Sequence, residues 1–232
     1  MSGFLITGTD TEIGKTFVST LLVKLLVEEN LKVVGMKPIA SGAKNIDGEL
    51  KNEDALSLIR VANVTDDYKN INPYVFEPAI SPHLAAEQAG IEIELDTIKK
   101  SFDQLDKKSD VVVVEGVGGW YAPLSSHTTV ADLAETLQLP IILVVGLRLG
   151  CLNHALLTAQ AIRQSGLAVA GWVANHVQKD FLSSDKNIST LKDYLNDFPF
   201  LGSVPHQSNH NNDCSLHHLN KKTLINGLCL KK

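Results

Sequence analysis

Apolar residues fall into two alternating patterns along this chain. Short continuous runs occur at Phe4–Thr7, Leu31–Met36, Val111–Val114, Pro140–Val145 and Val169–Ala174, with a last short one at Leu201–Val204. Such runs lack a polar face and predict strands covered on both sides. Between them the spacing changes to three and four residues. Phe17, Val18, Leu21, Leu22, Leu25 and Leu26 mark one helix, and amphipathic segments at 53–62, 94–107, 129–138 and 152–165 mark four more, the last stopped by Gly166. Strands alternating with helices imply right-handed βαβ crossovers. The expected fold class is α/β, a mainly parallel sheet with helices on both faces, with ligands beyond the carboxyl ends of the strands. Residues 66–90 contain Pro73, Pro78 and Pro82 and are expected to be irregular, and from about Gln207 to Lys232 the composition turns to His, Asn, Ser and Lys. A domain over 1–206 with a loosely held tail over 207–232 is the expectation.

The loop after the first strand carries the strongest chemical signal. Gly8-Thr9-Asp10-Thr11-Glu12-Ile13-Gly14-Lys15-Thr16 joins a buried strand to a helix, with five residues between the glycines where the standard phosphate-binding loop has four. Backbone N–H groups and the positive end of the helix dipole in such a loop face a polyphosphate. Lys15 would reach its outer phosphates, and the Thr16 hydroxyl would bind Mg2+. This context makes the fold P-loop NTPase-like. The metal needs an acidic partner at a strand end, which Glu115 supplies after Val111–Val114, followed by Gly116, Val117, Gly118 and Gly119. Asp54 sits in the first turn of a helix, where either a favourable dipole contact or a metal role explains it. Lys37 closes the second strand at the same sheet edge and could add a second positive charge to a transferring phosphoryl group. Ser41-Gly42 fits an anion contact or an ordinary turn.

Composition removes several other classes. Charged residues make up 20% and apolar residues 44%, which is globular usage, and the formal net charge is −5. Only Arg60, Arg148 and Arg163 represent arginine, so a nucleic-acid partner is not expected. Cys151, Cys214 and Cys229 form no C-x-x-C spacing, which fits a reducing cytoplasm. No stretch reads as a leader or a membrane span, so no membrane partner is expected. His127, His154 and His176 are isolated, and neither a hydrolase metal motif nor a nucleophile elbow appears.

Taken together, these residues closely resemble the dethiobiotin synthetase family over residues 1–206. The matching stretches are TGTDTEIGKT (Thr7–Thr16), KPIASG (Lys37–Gly42), NEDA (Asn52–Ala55), NPY (Asn72–Tyr74), SPH (Ser81–His83), VEGVGGW (Val114–Trp120), LGCLNH (Leu149–His154) and AGWVAN (Ala170–Asn175). The long loop is also that family's form. The resemblance implies an ATP- and Mg2+-dependent cyclo-ligase acting on 7,8-diaminopelargonic acid and CO2 or bicarbonate. An amine would become a carbamate, the carbamate would be phosphorylated, and the second amine would close the ureido ring. It implies Thr16, Asp54 and Glu115 as Mg2+ ligands, Thr11, Lys15 and Lys37 as the catalytic groups, and Ser41 with Gly118 as diamine contacts. Nucleotide contacts would come from Glu12, Ile13, Gly14, Lys15, Thr16 and Phe17, and from Glu115, Gly116, Val117 and Gly118. Asn175 and His176 would read the base, beside Pro205, His206 and Gln207. It also implies a homodimer in which Leu149, Gly150, Cys151 and Asn153 receive the partner's substrate carboxylate.

Two features depart from the family. His176 stands where members carry an acidic residue, and the chain beyond His206 does not align; both predict a loose choice among bases. Two other classes share the fold. A partition-type ATPase has a second lysine early in its P-loop, absent from Thr9 to Thr11, and a non-catalytic regulatory domain would leave Lys37, Ser41, Asp54 and Glu115 without a use.

Overall fold

A computed structural model describes residues 3–206 and 213–228. Its centre is a six-stranded sheet in the order β10-β9-β8-β1-β7-β2, with every neighbouring pair parallel. The strands are β1 (Gly3–Gly8), β2 (Val33–Met36), β7 (Val111–Glu115), β8 (Ile141–Gly146), β9 (Val169–Asn175) and β10 (Phe200–Val204). Both faces are covered, which explains the unbroken apolar runs. Val111 and Val113 join one core with α1 (Lys15–Glu28), whereas Val112 and Val114 join the other with α5 (Leu95–Lys108), α6 (Val130–Leu137) and α7 (Cys151–Ser165).

The helices form for local reasons. In α5, Ile98, Phe102 and Leu105 recur at four and three residues and are buried, with Asp96 in the first turn and Lys107 and Lys108 in the last, each complementing the dipole. Thr129 and Asp132 close a capping box on α6, and Gly166 ends α7 in a left-handed conformation. β1 is central, with β7 on one side and β8 on the other, so the loops leaving β1, β7 and β2 open at one edge.

The structure departs from the periodicity in three places. Residues 66–90 are ordered as α3 (Tyr68–Ile71), β6 (Tyr74–Val75), which pairs with β3 (Ile39–Ala40), and α4 (Pro82–Ala89). A hairpin of β4 (Lys44–Ile46) and β5 (Glu49–Lys51) precedes α2 (Glu53–Val61). Asp47 and Gly48, both at positive φ, form its turn, and Asp-Gly is the signal that apolar spacing passes over. α8 (Ser184–Tyr194) buries only Ile188 and Leu191, too few to stand out as a helical stripe.

The expectation of a loosely held tail is corrected over 213–228. A 3-10 turn, Asp213–His218, leads into α9 (Lys221–Asn226), and Leu219, Leu224 and Leu228 are buried in the same core as α1. Gly202 bridges Leu219, and a Cβ at Gly202 would lie 2.0 Å from the His218 carbonyl, so only glycine permits this approach. The three leucines supply the apolar area that the polar composition of the segment conceals. No helix of the described residues is long and apolar enough to cross a membrane.

Candidate active site

Sheet register assembles the site. Ile6 pairs with Glu115 and Met36 with Val114, so Lys37, one residue past Met36, comes level with Glu115 beside the loop that leaves β1. That loop ends at Gly14, whose φ of 81° a side chain would strain; a Cβ there would also strike the Asn175 amide. Lys15 and Thr16 then open α1 with the helix's unpaired N–H groups around them.

At the polar centre Lys37 and Glu115 are buried, while Asp54 stays half-exposed. The Lys37 ammonium lies 2.6 Å from Glu115 Oε1 and 3.0 Å from Asp54 Oδ2, and it donates to the Gly116 carbonyl at 3.2 Å. Thr16 Oγ1 donates to Glu115 Oε1 at 2.8 Å. Burial opposes the charge on Lys37, but Glu115 and then Asp54 raise its pKa above the ordinary lysine value. Burial likewise opposes ionisation of Asp54, while Lys37, Thr16 and Lys15 hold its carboxyl below the usual range. Lys15 is the contrast: burial first, and Lys37 second, lower its ammonium to about 8 despite Glu115, Asp54 and Asp10. Its Nζ turns back onto the Asp10 carbonyl at 2.7 Å.

A cavity of about 830 Å3 opens over this centre, lined by Thr11, Lys15, Thr16, Lys37, Ser41, Asp54, Glu115, Val117 and Gly118 among others. Ser41 Oγ and Glu115 Oε2 are buried without a hydrogen-bond partner, which is costly unless a ligand completes them. Two carboxylates and a hydroxyl are the hard oxygen donors that Mg2+ takes, and the unpartnered Glu115 oxygen fits such an ion. No group of three or more His, Cys, Asp and Glu side chains forms a metal cage among the described residues.

A second cavity, about 180 Å3, is lined by Glu12, Gly14, Phe17, Asn175, His176, Val177, Pro205 and His206. Asn175 Nδ2 donates to the Ile13 carbonyl at 2.8 Å, tying the end of β9 to the P-loop. His176 Nε2 meets Ser203 Oγ at 3.0 Å, and burial lowers its pKa. Gln207 lies outside the described residues. Leu149, Gly150, Cys151 and Asn153 line neither cavity. They form the turn into α7, with Gly150 as its N-cap, Cys151 in the core and Leu149 93% exposed.

Several supporting residues escape sequence reasoning because only the fold brings them together. Asn72 Nδ2 holds the Lys37 carbonyl at 2.7 Å, Tyr68 Oη donates to Asn72 Oδ1 at 2.9 Å, and the Asn52 N–H donates to Tyr68 Oη at 2.7 Å. Asn52 also caps α2 at the Asp54 N–H and reaches the Ser41 carbonyl. This chain fixes Lys37, Ser41 and Asp54 relative to one another. Arg148, from the turn before α7, pairs with Asp10 of the P-loop.

Comparison with known proteins gives this arrangement a family. An AAA domain family model matches residues 2–213. The ATP-dependent dethiobiotin synthetase BioD of Aromatoleum aromaticum is 45% identical over 203 residues, 88% of this chain and 90% of the relative. That of Xylella fastidiosa strain 9a5c is 45% identical over 206 residues, 89% of this chain and 91% of the relative. Among solved structures, the MinD cell division protein of Aquifex aeolicus aligns with a TM-score of 0.55 at 13% identity, over 90% of this chain and 84% of that one. A ParA family ATPase from Chlorobium tepidum aligns at 0.54 and 12%, over 97% and 90%. These structural likenesses speak for the P-loop fold alone. Sequence identity of that extent, over about nine-tenths of both chains, makes this chain a member of the ATP-dependent dethiobiotin synthetase family.

Proposed function

We propose that the larger cavity closes the ureido ring of dethiobiotin from 7,8-diaminopelargonic acid and CO2, with ATP driving the closure and one ADP and one phosphate released. One amine of the diamine adds to CO2 to give a carbamate. A carbamate oxygen takes the terminal phosphoryl group of ATP, forming a mixed carbamic-phosphoric anhydride. The second amine then attacks the anhydride carbon, and phosphate leaves with the bonding pair. The observation that carries this reading is the convergence of Lys15, Lys37, Thr16, Asp54 and Glu115 on one cavity that also exposes Thr11, Ser41 and Gly118.

Phosphoryl transfer is mostly positioning and charge stabilisation. Lys15 and the first N–H groups of α1 would hold the polyphosphate, and Lys37 and Thr11 would meet the negative charge that grows on the transferring group and the carbamate. Ser41 Oγ, buried and unpartnered, is available to the carbamate end of the diamine. Thr16, Asp54 and Glu115 would hold Mg2+, which would neutralise phosphate charge. The base would enter the smaller cavity beside Asn175, His176, Pro205 and His206, with Gln207 following. Residues 1–206 would then form the catalytic domain and 207–232 an extension of it.

Leu149, Gly150, Cys151 and Asn153 stand apart from both cavities, which supports a role toward a second copy. In a homodimer the turn before α7 would receive the carboxylate of the substrate bound by the neighbour, through backbone N–H groups at the helix start. The free thiol of the buried Cys151 suits a cytoplasmic enzyme. Steady formation of ADP that requires both diaminopelargonate and bicarbonate is the expected result. ADP release indifferent to both would refute the proposal.

A further inference from the structure

An ammonium has three protons to donate. On Lys37 all three are taken, by Glu115 Oε1 at 2.6 Å, Asp54 Oδ2 at 3.0 Å and the Gly116 carbonyl at 3.2 Å. In this arrangement Lys37 has no proton left for a transferring phosphoryl group. It must release at least one acceptor before it can act. The two carboxylates that hold it are also the groups suited to a divalent cation, and Glu115 Oε2 is still without a partner. Two carboxylates in contact with one ammonium leave a negative balance, which Lys15 offsets only from a distance, its Nζ being bonded to the Asp10 carbonyl.

We propose that Lys37 is the resident cation of the metal site: its ammonium and Mg2+ compete for Asp54 and Glu115, and metal entry is what frees Lys37 for the transferring group. This rests on the proposed metal role of the two carboxylates. A monovalent and a divalent cation on the same acceptors repel at contact distance, the more so beside the buried Glu115 carboxylate. The ammonium therefore leaves when the metal binds, and its stem is flexible enough to move within the cavity it lines. Without metal, Lys37 keeps the buried Glu115 carboxylate and the half-exposed Asp54 carboxylate from facing each other uncompensated. The same side chain then has two successive uses, first holding the site together and afterwards stabilising charge in the reaction. The Asn72 bond to the Lys37 carbonyl fixes the backbone through the exchange, so only the side chain has to move.

Nucleotide-free protein with Mn2+ as the probe tests the competition. Lys37→Met should bind Mn2+ at least about tenfold tighter than the unaltered protein, roughly 1.4 kcal/mol. It should melt lower without metal and gain about 5–10 °C at a Mg2+ concentration a hundred times the variant's dissociation constant, a larger gain than the unaltered protein shows at that same concentration. Adding Asp54→Asn to Lys37→Met should remove the tight binding, which assigns the ion to this site. Equal Mn2+ affinity in the unaltered and Lys37→Met proteins would overturn the competition while leaving the metal ligands in place. Absence of Mn2+ binding from both would overturn this inference together with the metal reading beneath it. Should Lys37→Met fail to fold, the unaltered protein decides. Acylation of Lys37 by an amine reagent, read by peptide mass spectrometry, should rise when Mg2+ is added, and an unchanged yield would refute the exchange.

Discussion

Exchanging ATP for ITP replaces one amino group of the base by a carbonyl and leaves the sugar and phosphates untouched, so it isolates what Asn175 does. The Asn175 amide cannot turn freely. Its Nδ2 donates to the Ile13 carbonyl at 2.8 Å, and the opposite orientation would set two acceptors against each other. The acceptor that the amide keeps for the cavity Asn175 lines is therefore Oδ1, with the second Nδ2 proton beside it. An acceptor in that position favours a base that donates, as the amino groups of adenine and cytosine do, over one that presents a carbonyl. Asn175 is only 6% exposed, so an acceptor left facing an acceptor costs about 1–3 kcal/mol, or roughly 5–150-fold in affinity. The departure at His176 reads from sequence as a loosened choice of base. The anchored amide argues for discrimination between amino and keto bases instead. Displacement of a fluorescent, non-hydrolysable ATP analogue by ATP, CTP, ITP and GTP measures it directly. ATP and CTP should compete better than ITP and GTP, and Asn175→Ala should shrink the ATP-to-ITP ratio toward one even as both bind less well. ITP competing as strongly as ATP in the unaltered protein would refute the reasoning.

Other outcomes follow from the same geometry. Because the Lys15 ammonium is lowered to about 8 in the folded, unliganded chain, affinity for the ATP analogue should be flat below pH 8 and fall about tenfold per unit above it. Calorimetry near pH 8 should show proton uptake on binding, and Lys15→Met should abolish both effects. The sign for stability is opposite to that of a favourable pair: a lowered lysine penalises the folded state below pH 8, and the penalty is relieved between about 8 and the unfolded value near 10.4. Urea unfolding of Lys15→Met should lose that rise. Leu224→Ala removes a side chain 1% exposed in the core shared with α1 and should cost about 2–5 kcal/mol, a fall of roughly 5–15 °C in Tm. A Tm unchanged within a degree would return the tail to a loose state. Mixing Gly150→Trp with Lys37→Ala protein should restore up to about a quarter of normal turnover after random subunit exchange if the substrate site is shared across a two-fold dimer. No recovery, with exchange confirmed by mass spectrometry, would place the whole site in one chain.

Much of this molecule is legible in its sequence because the relevant physics is local. Apolar runs of four to six residues had to be strands covered on both faces, and the helical spacing around Leu21, Ile98 and Ile162 had to face a sheet. The loop Gly8–Thr16 announces phosphate binding because glycine, lysine and a helix start act within nine residues. What sequence alone left open is whatever depends on register. From pattern alone Asp54 reads more readily as a helix-dipole contact than as a metal ligand, whereas the fold sets its carboxylate 3.0 Å from Lys37, itself 2.6 Å from Glu115. Those three residues are separated by 17 and 61 positions; the parallel pairing of β2 with β7 brings Lys37 beside Glu115, and the placement of α2 adds Asp54. The packing of the tail is hidden in the sequence for a related reason. Its three leucines are too sparse to form a periodic stripe, and their burial depends on a groove beside β10 and α1 that is made by residues far earlier in the chain. The use of the Asn175 amide on Ile13, 162 residues away, belongs to the same class. Short-range pattern fixes which elements form and what chemistry they carry, whereas charge pairing and the direction of a polar atom are decided by contacts that exist only once the sheet has closed.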